Sequence, residues 1–211
     1  METIERRSIT GSVSLRMAEG QDWPEYVEGI AAVVNDTTDL GWFEEQIAPG
    51  AFDSALRSSD IRVLGNHDPN IILGRTTAKT AEVWVNEAGQ LAYRYTPDQN
   101  NPTHVSWVRS IQRGDITQSS FAFTVSVSEW RTSDKYGDMG LRVIKEIREL
   151  FDVSPVTYPA YQNTSVGARD MEAIKQERAT LTAEAEAQKQ EAQRQADAKI
   201  QIKETLINSI R

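Results

Sequence analysis

The 211-residue sequence contains no cysteine, which excludes disulfides, thiolate-bound zinc and a cysteine nucleophile. Histidine is scarce: there are two, and no His-x-x-x-His or His-Glu-x-x-His spacing makes them a recognisable metal-ligand set. Gly-x-Gly-x-x-Gly and Gly-x-x-x-x-Gly-Lys are missing, and with them the loops that cradle phosphates, so neither a metal nor a cofactor is expected. No apolar run approaches the length that crosses a bilayer, and the opening METIERRSITGSVSLRM lacks the continuous apolar segment of a secretory signal. The expected compartment is the cytoplasm, with no membrane partner. Basic residues are outnumbered, giving a formal net charge of -8, which argues against a nucleic-acid partner held by phosphate neutralisation and for protein partners.

What is present divides the chain near Ala168. Before it, short runs rich in Val, Ile, Thr, Tyr and Phe alternate with turn residues: SITGSVSLRM, YVEGIAAVV, IRVLGN, DITQSSFAFTVSVSEW and GLRVIKEIRELFDVSPVTY. Apolar and polar residues alternate in several of them, the pattern of strands covered on one face. VWVNEAGQLAYRY reads as a hairpin turning at Asn86 to Gly89. Two helices are expected among the strands. PGAFDSALRSS spaces Phe52 and Leu56 at i, i+4, and NPTHVSWVRSIQRG repeats Val105, Val108 and Ile111 before Gly114, which can end a helix. From Met171 to Arg211 the chain has neither Gly nor Pro and is crowded with Ala, Glu, Gln and Lys, which predicts one long helix with a narrow apolar stripe and no sustained heptad. The expected organisation is a β-rich α+β domain over residues 1–168 and a helical tail over 169–211.

Candidate chemistry is confined by the same scarcities. A hydrolase that works through a serine needs a hydroxyl, a base to take its proton, a group to orient that base and amides for the oxyanion. If the base is histidine it is His67 or His104. His104 falls at the start of a predicted helix, where a surface or helix-end role suffices. His67, in LGNHDPNIILGR (Leu64 to Arg75), stands where a strand ends in a turn, a frequent place for functional side chains, although Asn, Asp and Pro there serve equally as plain turn residues. Among many serines, Ser119 and Ser120 begin an alternating strand and face opposite ways, one with Ala122 and Thr124, the other with Phe121 and Phe123. Carboxylates able to orient an imidazole cluster in KEIRELFDVSPVTYPAY as Glu146, Glu149 and Asp152, where exposed charges on an edge strand would look the same. The 31 acidic residues single out no glycosidase-type pair.

Four stretches, taken in order, resemble one family. WFEEQIAPGAF (Trp42 to Phe52), LGNHDPNIILGR, GDITQSSFAF (Gly114 to Phe123) and LFDVSPVTYPAY (Leu150 to Tyr161) follow the sequence and approximate spacing of the HK97-type prohead maturation proteases of tailed bacteriophages, between about Gly29 and Val166. The resemblance implies a serine endopeptidase related to the herpesvirus assembly proteases, with a β-barrel surrounded by helices. It implies action on scaffold, or on the scaffold-like segment of the coat protein, and on the enzyme itself inside an assembling procapsid in the host cytoplasm. The family's motifs make His67 the general base and Ser120 the nucleophile, with Ala122 where the family usually has glycine. Herpesvirus proteases use a second histidine on the following strand; here a carboxylate must replace it, and the resemblance favours Glu149, then Glu146, then Asp152. Oxyanion donors are expected in the turn around Ser154 to Tyr158, and the herpesvirus analogy extends to a homodimer. A self-cleavage site is expected between about Ala168 and Arg178, where an exposed linker invites nicking. The competing expectation is a non-enzymatic assembly protein that binds coat subunits and uses its terminal helix as scaffold. The two diverge on whether His67, Ser120 and a carboxylate meet in space.

Overall fold

A computed structural model describes residues 4–9, 13–158 and 168–209. The alternating runs become strands in two sheets. The larger contains β1 (Glu5–Ile9), β4 (Thr37–Asp39), β5 (Glu44–Ile47), β6 (Arg62–Gly65), β7 (Asp68–Arg75), β10 (Gln118–Ser133) and β11 (Gly137–Val156). Its path runs β1-β10-β11-β5-β4, with β6 on β11 and β7 on β6. The smaller orders β2 (Val13–Met17), β3 (Pro24–Val33), β9 (Gln90–Tyr95) and β8 (Ala81–Val85) as β2-β3-β9-β8. The expected hairpin is β8–β9, with Asn86 Oδ1 accepting the amides of Ala88 and Gln90 and Gly89 in the left-handed region at φ 72°.

The mixed, strand-rich α+β class stands, but the strands described close no barrel. The reason lies in β11. It is 20 residues long and divides its outer edge, pairing in parallel with β5 through Leu141–Ile144 and with β6 through Asp152 and Val153. The second sheet keeps its own edges, β2 and β8. Val27, Tyr93, Phe121, Phe123, Ile144, Ile147 and Leu150 form a core between them, with Phe121 and Phe123 stacked at 4.7 Å.

Helix α1 is short, Asp53–Ser58, and anchors through Phe52 and Ala55. Helix α2 spans Pro102–Arg113: the Asn101 side chain accepts the Thr103 amide, Pro102 needs no donor partner in the first turn, and Gly114 ends the helix at φ 81°. Its buried face is His104, Trp107, Val108 and Ile111, so Val105 stands beside the stripe rather than in it. Helix α3 covers Ala168–Ser209. The chain clusters into two compact units, Met1–Asp170 and Met171–Arg211.

One feature of the larger sheet was illegible in the composition. Glu5 and Arg7 on β1, Glu45 on β5 and Arg142 on β11 are all buried and form a closed ring of two acids and two bases. Arg7 bonds Glu45 and reaches Glu5 at 2.6 Å; Arg142 reaches Glu5 at 2.8 Å and Glu45 at 3.2 Å. Burial alone would raise the Glu45 carboxyl, yet Arg7 and then Arg142 hold it below the usual value. Such a ring adds little over an apolar core but is costly to break, because the remaining charges stay buried without balance. Glu45→Gln is therefore expected to destabilise the domain by about 3–5 kcal/mol, read as a lower urea midpoint at unchanged slope. Because the Glu45 carboxyl is depressed on folding, its contribution is complete above the unfolded-state pKa and is lost as pH falls toward the folded one. The wild-type midpoint should fall with acid more steeply than that of the variant.

Candidate active site

Three of the residues singled out for chemistry, His67, Ser120 and Asp152, converge at one end of the larger sheet, where β10, β11 and β6 lie side by side. Ser120 on β10 stands opposite Ser154 on β11, and Ala122 stands opposite Asp152. Because side chains alternate, Ser120, Ala122, Asp152 and Ser154 share one face. Parallel pairing sets Arg62 beside Asp152 and Val63 beside Val153, so β6 delivers its end, Gly65, to the same place. There the chain reverses in a two-residue turn between Gly65 and Asp68. Asn66 and His67 occupy it with φ 55° and 58°, the pattern of a type I′ hairpin. Gly65 is required by packing: a Cβ at this position would lie 2.3 Å from the Trp107 ring.

His67 connects the two strands. Its Nε2 lies 2.6 Å from Ser120 Oγ, and its Nδ1 lies 2.6 Å from Asp152 Oδ1. A carboxylate can only accept, so Nδ1–H donates to Asp152, and Nε2 is left to accept the serine hydroxyl. Ser154 Oγ donates to the same Asp152 oxygen at 2.6 Å. Ser120 is 1% exposed and Ser154 is fully buried, which shields these bonds from competing water. The arrangement is a hydroxyl, an imidazole and a carboxylate in one hydrogen-bonded run. It can move a proton from oxygen to nitrogen as the oxygen attacks a carbonyl, with the carboxylate steadying the imidazolium that results.

The other sequence candidates lie elsewhere. Glu149, expected to orient His67, is exposed and stands opposite Thr124. Thr124 is four positions beyond Ser120, about 13 Å along a strand. Glu149, and Glu146 opposite Val127, lie toward the far end of the hairpin and are exposed to solvent. Asp152, ranked last, holds the position at the imidazole. Its signal was the Asp-x-Ser spacing, which puts both side chains on one face of a strand.

Ser119 points away from His67, fully buried, with its Oγ 2.8 Å from the Tyr93 hydroxyl. Burial raises the Tyr93 phenol far beyond its ordinary range, so that group is a hydrogen-bonding partner and no acid or base. His104 lies in the first turn of α2, the helix-end place expected of it, but is buried rather than on the surface. Its Nδ1 accepts the Asp98 amide at 2.9 Å, so Nε2 carries the proton and donates to the Ile72 carbonyl at 3.0 Å. It ties α2 to β7. Of the turn expected to supply the oxyanion donors, Pro155 has no N–H, and the Thr157 amide is already given to Asn66 Oδ1 at 2.8 Å. No cluster of potential metal ligands occurs among the described residues.

A serine, an imidazole and a carboxylate so joined on a strand-rich scaffold define a serine-hydrolase type of centre. Residues 12–177 match the family model of the caudovirus prohead serine protease, and the chain belongs to that family. It is thus a phage prohead serine protease, acting within the procapsid. A similar solved structure is the bacteriophage T4 capsid assembly protease, gp21, with 15% identity over 74% of this chain and 97% of that chain, at a TM-score of 0.47. No curated protein matches the chain. Among the described residues, no helix is long and apolar enough to cross a membrane.

Proposed function

We propose that the chain cleaves peptide bonds with Ser120 as nucleophile, His67 as general base and Asp152, in place of Glu149, as the group that orients the imidazole. The observation that supports this is the unbroken run Ser120–His67–Asp152, closed by Ser154. Ser120 Oγ attacks the scissile carbonyl while His67 Nε2 takes its proton. The imidazolium returns that proton to the leaving amine, and a water repeats the exchange to release the acid. Asp152 holds the tautomer that leaves Nε2 free to accept. Ser154, by donating to Asp152, fixes the carboxylate rotamer and satisfies one of its lone pairs.

The substrates in this reading are the scaffold, or the scaffold-like segment of the coat protein, and the chain itself, inside a procapsid assembling in the host cytoplasm. The protease domain covers residues 1–168 and the tail 169–211. The net charge of -8 suits recruitment by protein contacts and needs neither nucleic acid nor membrane; the resemblance to the herpesvirus enzymes is what supports a homodimer. The reading as a binding module without catalysis required the three groups to lie apart, and two 2.6 Å contacts weigh against it.

The test uses a fluorophosphonate reagent added during co-expression with coat and scaffold proteins. The adduct is expected on Ser120, and shortening of the coat protein is expected to stop. An adduct on Ser119, or shortening that continues at full occupancy, would overturn the assignment.

A further inference from the structure

His67 sits at the tip of a hairpin, where chains are ordinarily loose, yet proton transfer requires its ring to be held to about half an ångström. The neighbouring residue supplies the restraint. The Asn66 amide donates to the Pro155 carbonyl at 3.1 Å, continuing the β6–β11 contact past the last paired residues. Its side chain forms two more bonds: Oδ1 accepts the Thr157 amide at 2.8 Å, and Nδ2 donates to Thr157 Oγ1 at 3.1 Å. All three partners belong to the few residues that follow Asp152 and Ser154. The strand end that carries the carboxylate also grips the turn that carries the imidazole.

We propose that Asn66 is a positioning residue for His67, its carboxamide clamping the base-bearing turn to Thr157 so that Nδ1 meets Asp152 and Nε2 meets Ser120. This rests on the reading of His67 as general base. The left-handed backbone at Asn66 offers a competing reason for an asparagine, since Asn tolerates that region better than most residues. Glycine separates the two reasons. It takes a left-handed turn position without steric cost but has no carboxamide.

The experiment compares Asn66→Gly, Asn66→Asp, Thr157→Val and His67→Ala in the full chain, measuring the rate of coat-segment cleavage against substrate concentration together with the melting temperature. Asn66→Gly is expected to melt within a few degrees of wild type and to keep KM while kcat falls about 10–100-fold, the scale of a misplacement near 1 Å. Asn66→Asp keeps an acceptor for the Thr157 amide and for its hydroxyl, and should restore most of the rate. Thr157→Val retains the amide bond and loses the hydroxyl bond, so a smaller loss of a few-fold is expected. Wild-type kcat in Asn66→Gly, or an equal loss in Asn66→Asp, overturns the clamp. If His67→Ala also cleaves at the wild-type rate, it is the general-base reading that has failed; if His67→Ala is inactive while Asn66→Gly is unchanged, only the clamp has.

Discussion

Ser120→Ala should lower cleavage by roughly 10⁶-fold, the scale seen when a serine nucleophile is removed from a complete site, because no neighbouring group can form the acyl-enzyme. The neighbouring hydroxyls on β10 and β11 are both committed. Ser154 Oγ is fully buried against Asp152, and Ser119 Oγ faces the Tyr93 hydroxyl on the opposite side of the strand. The measurement is the intact mass of the purified chain, and of co-expressed coat protein, over several days. Ser119→Ala serves as the comparison. It should remain active and lose about 1–3 kcal/mol of stability, because the buried Tyr93 hydroxyl is left without its partner. Shortening that stops in Ser119→Ala and persists in Ser120→Ala would exchange the two roles and break the geometric reading of β10.

Asp152→Asn is expected to lower kcat by roughly 10⁴-fold with the fold intact. A carboxamide of nearly the same shape can present its NH₂ to Nδ1, which favours the tautomer protonated at Nε2, and that nitrogen then no longer accepts from Ser120. Asn also leaves no charge to balance the imidazolium. Glu149→Gln, at an exposed position opposite Thr124, should change kcat by less than about twofold. Single-turnover cleavage by the two variants side by side decides the third member. Full activity in Asp152→Asn with a large loss in Glu149→Gln would return the role to Glu149 and require a different register for β11.

The resemblance to the strand that follows the serine strand favours Glu149 as the orienting group, but it names the strand and not the residue: Ser154 pairs with Ser120, which sets Asp152 at His67 and leaves Glu149 opposite Thr124. Which residues of two strands face each other depends on their pairing register, which leaves little trace in either strand alone. Of the surface or helix-end expectation for His104, the helix end stands and the surface does not. Its helical stripe is complete only when His is counted among the core positions with Trp107, Val108 and Ile111, and its burial depends on two backbone partners, Asp98 and Ile72, remote from the helix face.

By itself the sequence determined much of the chemistry. The lack of cysteine and the two histidines left few bases and no thiol nucleophile; alternation separated Ser119 from Ser120; Gly-Asn-His-Asp marked a turn; and four spaced motifs carried the family. These are local properties, set by side-chain type and by the period of two along a strand. Tertiary structure alone decided which carboxylate meets His67, that Asn66 fastens its turn to Thr157, that the two sheets remain unclosed, and that four charges on β1, β5 and β11 meet in the interior. Each of these depends on register between strands distant in the chain, and register follows from the packing of the whole sheet rather than from any one run of residues.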